Sequence, residues 1–101
     1  MLKNIQLISI LKRSKPMTVD EITAVEILPA IKYVDEHGWE SKHNSTKYDL
    51  IVEGEKRFPP KYVLAVAMHL TTGEAINTQQ FNGGEPTNRH FKRNGFKIIK
   101  K

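Results

Sequence analysis

The segment Lys47-Tyr48-Asp49-Leu50-Ile51-Val52-Glu53-Gly54-Glu55-Lys56-Arg57-Phe58-Pro59-Pro60-Lys61-Tyr62-Val63-Leu64-Ala65 decides the fold. Tyr48, Leu50 and Val52 alternate with Lys47, Asp49 and Ile51, which is the period of a half-buried strand. Glu53-Gly54-Glu55 reads as a tight turn into Lys56-Arg57-Phe58, so residues 47–58 form a short hairpin. Pro59 and Pro60 have no amide hydrogen to give to a ladder and stop the second strand. Pro60 also has the fixed φ that suits the first residue of a helix. Residues 61–71 then read as a helix, with Tyr62, Val63, Val66, Ala67 and Leu70 apolar, Ala65 and Ala67 small enough for close packing, and Gly73 closing it. Strand, turn, strand and helix follow without a linker, which points to one α+β unit.

Upstream, Thr23 and Glu26 have the spacing of a capping box, in which the hydroxyl and the carboxylate satisfy orphan amides at a helix start. Thr18 and Glu21 offer a second, earlier start. Ile27, Leu28, Ile31 and Val34 recur at helical spacing and Gly38 stands where a left-handed residue ends a helix, so the spacing predicts a helix over 24–37. Pro29 removes one backbone bond within it, which predicts a kink or a later start. Residues 39–46 are polar and read as a loop. Residues 1–15 carry Leu2, Ile5, Leu7, Ile8, Ile10 and Leu11 with neither a helical nor a strand period, and Pro16 ends that stretch. The division is a basic, apolar N-terminal extension over 1–16 and one domain over 17–101.

Downstream, the loop 74–84 contains Ile76 and Phe81 as anchors and runs into Asn82-Gly83-Gly84, whose glycines allow backbone angles closed to other residues. Glu85-Pro86 opens a short helix and Gly95 ends it. Residues 96–100, with Phe96 and Ile98 alternating with Lys97, read as a last strand that pairs with the hairpin. The expected fold is α+β: three helices packed on a short, mostly antiparallel three-stranded sheet, in the order helix, hairpin, helix, helix, strand.

A chain of 101 residues holds one core, and 39% hydrophobic with 27% charged residues is a globular composition. The longest apolar stretch, residues 62–68, is far short of the about 20 residues that a spanning helix needs. The start lacks a charged region followed by an uninterrupted apolar run, so the expected address is cytoplasmic and no membrane partner is expected. The absence of cysteine excludes disulfides, thiolate metal sites and a cysteine nucleophile.

The net charge of +5 is unevenly spread: +4 over residues 1–16, −5 over 17–85, where all 11 acids lie, and +6 over 86–101. Brought together by the fold, the two basic ends would make one face suited to a polyanion. Arg89, Lys92 and Arg93 lie at i, i+3 and i+4 and share one helix face, with Phe91 pointing to the core. With the glycine loop before them and Lys97 after them they form a helix-plus-wing surface for phosphates, where Asn88 or Arg89 would reach a base edge. The plain alternative is a solvated helix face. Lys61 places a cation at a helix start, against the macrodipole, unless an anion is bound there; alternatively its stem covers Trp39 or Tyr62.

Other constellations fail on spacing. His37, His43, His69 and His90 include no i, i+4 pair and no His-x-Glu motif, so surface or capping roles are expected and no metal or other cofactor. Asp49, Glu53, Glu55 and Lys56 lack the acid-x-Lys order of a nuclease strand, and a hairpin tip explains them better. Gly83-Gly84 lacks the Lys-Ser/Thr of a phosphate-cradling loop. Trp39, Tyr48, Phe58 and Phe81 read as core or core-edge residues.

The run Phe58-Pro59-Pro60-Lys61-Tyr62-Val63-Leu64-Ala65, then Thr72-Gly73-Glu74, Phe81-Asn82-Gly83-Gly84-Glu85 and Asn94-Gly95-Phe96 resembles the N-terminal head domain of ScoMcrA-like modification-dependent (type IV) HNH restriction endonucleases. Tyr33 to Gly38 match the end of that domain's first helix. The resemblance covers residues 22–99, with Asn82 where the family has Ser and Asn94 where it has Leu, and it includes neither the modified-base recognition module nor the HNH module. It implies a small stand-alone, non-enzymatic accessory module that binds nucleic acid, DNA above all, in a restriction or phage-defence setting, alone or with a protein partner. The rival expectation is a protein-interaction module or small inhibitor that docks on a nucleic-acid enzyme through the acidic residues 17–55 or the apolar residues 5–11.

Overall fold

Helix α1 (Ala24–His37) starts where its capping box puts it. Thr23 Oγ1 accepts the Val25 amide at 3.3 Å, and the Glu26 carboxylate accepts the Thr23 amide at 2.6 Å. The second box is also formed: the Thr18 amide donates to Glu21 at 2.9 Å and folds one 3-10 turn, Val19–Glu21, ahead of the helix. That hydrogen bond, with one from the Thr18 hydroxyl, holds the Glu21 carboxyl below its ordinary range. Pro29 does not delay the helix, which starts at Ala24 and runs through it. Gly38 ends α1 at φ 70° and ψ −167°, a conformation open to glycine, and donates its amide to Val34 at 2.8 Å. In the computed structural model the described residues are 18–80 and 84–101. The expected extension over 1–16, its junction with the domain and its share of the basic surface lie outside them, as does Phe81.

The loop after α1 contains one 3-10 turn, Ser41–His43, and leads into β1 (Tyr48–Val52). β2 (Lys56–Phe58) returns antiparallel after the turn Glu53–Glu55, with Leu50 opposite Phe58 and Val52 opposite Lys56. Helix α2 (Pro60–Thr72) begins on the second proline and ends at Gly73, which is left-handed at φ 80°. Helix α3 (Glu85–Arg93) and β3 (Lys97–Lys100) complete the chain. β3 pairs antiparallel with β1, so the sheet order is β2-β1-β3. The α+β class, three helices and the three-stranded antiparallel sheet are as expected.

Phe58, Leu50 and Ile98 stand in one cross-strand row on the sheet's inner face. α2 crosses that face with Val63, Leu64, Ala65, Val66, Ala67 and Met68 all buried. α1 packs on α2 through Ile27, Ala30 and Val34, and α3 adds Phe91. Leu70, near the end of α2, is 42% exposed. Phe58 is buried, Trp39 half-buried against it at 6.0 Å between ring centres, and Tyr48 half-buried at the start of β1.

The exit of α3 explains the triplet Asn94-Gly95-Phe96. The Gly95 amide donates to Lys92 O at 3.1 Å and the Phe96 amide to Phe91 O at 3.0 Å, the bond pair of a Schellman motif. Phe96 packs edge-on against Phe91 at 6.1 Å, the apolar contact that closes the motif. Gly95 takes φ 88° to do this. Nothing lies within 4 Å of where its Cβ would be, so Gly95→Ala meets only backbone strain. We expect it to cost about 1–2 kcal/mol in urea unfolding; an unchanged midpoint would contradict this cap.

His90 ties the start of the domain to its end. It is buried, and its Nε2–H donates to Ile22 O at 2.7 Å, which leaves Nδ1 to accept from Arg93 Nη2 at 3.3 Å. His90→Leu leaves the Ile22 carbonyl without its donor and should cost about 1–3 kcal/mol by chemical unfolding.

Candidate nucleic-acid interface

α3 presents two chemically different sides because successive residues turn by about 100°. Thr87, Asn88, His90 and Phe91 are buried on the inner side, while Arg89, Lys92 and Arg93 are exposed on the outer one. The structure therefore keeps the three cations together, as their spacing predicts. Arg89 and Lys92 have no carboxylate within ion-pair distance among the described residues. Arg93 lies 3.8 Å from Asp20, both side chains largely exposed, a contact that contributes little. Lys97 stands in the row Arg57, Ile51, Lys97 on the sheet face away from the core, exposed and unpaired, whereas Arg57 is engaged with Asp49 at 3.5 Å. Asn88 is not part of this outer surface: it is one residue from Arg89 in sequence and on the other side of the helix.

The inner side of α3 borders a cleft of about 450 Å³. Its walls are residues 42–48 before and at the start of β1, residues 59–62 at the start of α2, Thr78, and Gly84, Thr87 and Asn88 at the start of α3. Lys61 and Asn88, each expected separately as a nucleic-acid contact, both line this cleft. Lys42, read only as a loop residue, and Lys47, read only as the start of the hairpin, join them. No Asp or Glu is among the described lining residues. Glu40 pairs with Lys42 at 3.7 Å from outside the lining, and Lys47 and Lys61 have no carboxylate partner among the described residues. Asn88 is only 3% exposed, and its side-chain amide has no hydrogen-bond partner among the described residues. No buried side-chain nitrogen or oxygen among them is sealed off without a partner, so this amide opens onto the cleft.

The remaining candidates take structural places. His37 stacks on Tyr33 and donates Nδ1–H to its carbonyl at 2.9 Å, and His69 donates to the carbonyl of Glu74. His43 stacks on Tyr62 at 4.6 Å. His90, expected at the surface or as a cap, is instead a core residue. No three of His, Asp or Glu come together among the described residues. Asp49 is buried and accepts from Ser45 and Arg57, and Lys56 reaches Asp35 on α1 at 2.9 Å, so these charges fasten the hairpin to its surroundings. Lys61 is half-buried beside Tyr62.

Burial pushes the Tyr62 phenol above its ordinary value of 10.0, with Tyr33 and Glu40 adding to the effect. The fold thus favours the protonated phenol. Its contribution to stability is complete below pH 10.0 and is lost as pH rises from there through the higher folded-state value. The Tyr62 ring resonances should titrate with a midpoint above 10.0; a midpoint at or below it would contradict the burial of this wall of the cleft.

Among the described residues no helix is long and apolar enough to cross a membrane. No curated protein and no solved structure matches the chain. The model of the ScoMcrA-like N-terminal head domain matches residues 20–100, which spans all three helices and all three strands. The chain belongs to the ScoMcrA-like N-terminal head-domain family.

Proposed function

We propose that this protein is a DNA-binding accessory module of restriction- or defence-type systems, acting in the cytoplasm without catalytic chemistry of its own. Family membership supports the setting, because a head domain is an N-terminal module distinct from the HNH catalytic domain. The observation that carries the DNA reading is the outer side of α3: Arg89, Lys92 and Arg93 on one face of a segment, residues 86–101, that contains six Lys or Arg and no acid. A helix face of exposed cations, two of them without a carboxylate partner among the described residues, suits the phosphates of a duplex, while sequence preference requires further contacts to base edges. Lys97 extends the set beyond the Schellman turn.

A protein-docking reading has its own support in α1, where Val25 and Leu28 are 74% and 59% exposed next to Pro29, within the acidic part of the chain. A stoichiometric protein partner that binds this face, with no duplex binding at low salt, would favour it.

Arg89→Ala with Lys92→Ala removes two side chains that touch nothing in the core. We expect duplex affinity by fluorescence anisotropy to fall by roughly tenfold or more, with the thermal midpoint unchanged. Unaltered affinity in a folded double variant would overturn the assignment of this face.

A further inference from the structure

The outer side of α3 leaves the cleft on its inner side unexplained. The cleft is built where two helices begin. α2 starts on Pro59 and Pro60, which have no amide hydrogens, and its first intrahelical bond runs from the Val63 amide to Pro59 O at 3.0 Å. The amides of Lys61 and Tyr62, in the first turn, are therefore left for a ligand or water. α3 starts on Gly84 at φ 77°, and neither helix has a side-chain cap. The uncapped start of α2, half-buried Lys61 in its first turn, exposed Lys47 without a carboxylate partner among the described residues, and no carboxylate in the described lining make a site for negative charge. A cation site is excluded on the same ground: it needs carboxylate or carbonyl donors, and lysines would repel the ion.

Asn88 supplies the independent observation. Asn88 is 3% exposed, its side-chain amide has no partner among the described residues, and what little of it reaches the surface does so in the cleft, where a ligand can take its hydrogen bonds. An oxyanion accepts its N–H while the neighbouring cations balance the charge. The volume, about 450 Å³, exceeds what an inorganic anion fills and lies within the range of small-ligand sites. Half-buried Tyr48 forms an apolar wall with Pro59 and Pro60, which suits the sugar or base attached to that anion.

We propose that this cleft is a second binding site, one that holds the phosphate of a single nucleotide unit against Lys61, Lys47, the first turn of α2 and the Asn88 amide. Its source is either a free mononucleotide or one phosphate of a nucleic-acid strand that enters the cleft. The site does not rest on the duplex contacts of Arg89 and Lys92, which lie on the other side of α3.

The test is an amide chemical-shift titration of the full chain with a 5′-mononucleotide, the matching nucleoside, and a short single strand, repeated on Lys61→Gln and Asn88→Ala. Saturable shifts at Lys61, Tyr62 and Asn88 with the mononucleotide but not the nucleoside support the site and assign it to a free nucleotide. The same shifts with the strand alone support it and assign it to a strand. Lys61→Gln should weaken the effective ligand by roughly tenfold, and Arg89→Ala should leave it unchanged. No saturable shift with either phosphate-bearing ligand, or equal shifts with the nucleoside, would overturn the proposal. Should Asn88→Ala fail to fold, the wild-type titration and Lys61→Gln decide alone. Loss of duplex affinity in the Arg89 and Lys92 variant reads on the outer face only, so the two assignments stand or fall separately.

Discussion

Six consecutive side chains of α2, Val63 to Met68, are buried, so over that span the helix has no solvent side. α1, β1 and α3 all pack against it. A helix enclosed in this way cannot slide or rotate without opening a cavity, and large-to-small changes in such a core cost about 2–5 kcal/mol. The position of its first turn is consequently fixed to within a side-chain contact. Pro59 and Pro60 fix it a second time, because they end β2 and begin α2 without an intervening residue. Lys61 is held where it is by both constraints, and the cleft in front of it inherits its shape from the core behind.

Local signals in the chain carried most of the fold. The two Thr-x-x-Glu boxes, the alternation from Tyr48 to Val52, the double proline and the glycines at 73 and 95 each act through neighbours a few residues away, and each produced the element expected of it. Gly95 shows how far such a signal reaches: the left-handed residue, the two back-bonded carbonyls and the Phe91–Phe96 contact are one local motif. What local signals missed is a long-range contact: the buried His90 donates to a carbonyl 68 residues away in sequence.

The site was legible only in part for the same reason. Helical spacing placed Arg89, Lys92 and Arg93 on one face. It did not show that Asn88 turns inward to meet Lys61, since those residues are joined by the packing of α3 on α2 and not by sequence. Lys42 and Lys47 were hidden by the arithmetic of charge, which counts residues 17–85 as acidic overall. In the folded chain none of that segment's carboxylates is among the described lining residues of the cleft. A linear charge balance averages over surfaces that the fold separates.

Family membership suggests association with restriction- or DNA-related systems, and the proposed means of contact are the cations of α3. The claim that they meet phosphates is tested most directly by measuring duplex affinity against salt concentration. Each phosphate neutralised releases counterions and contributes about −0.9 to the slope of log affinity against log salt. With Arg89, Lys92 and Arg93 engaged, the slope should be steeper than about −2 and linear. A slope near zero, or no duplex binding at low salt, would contradict the account.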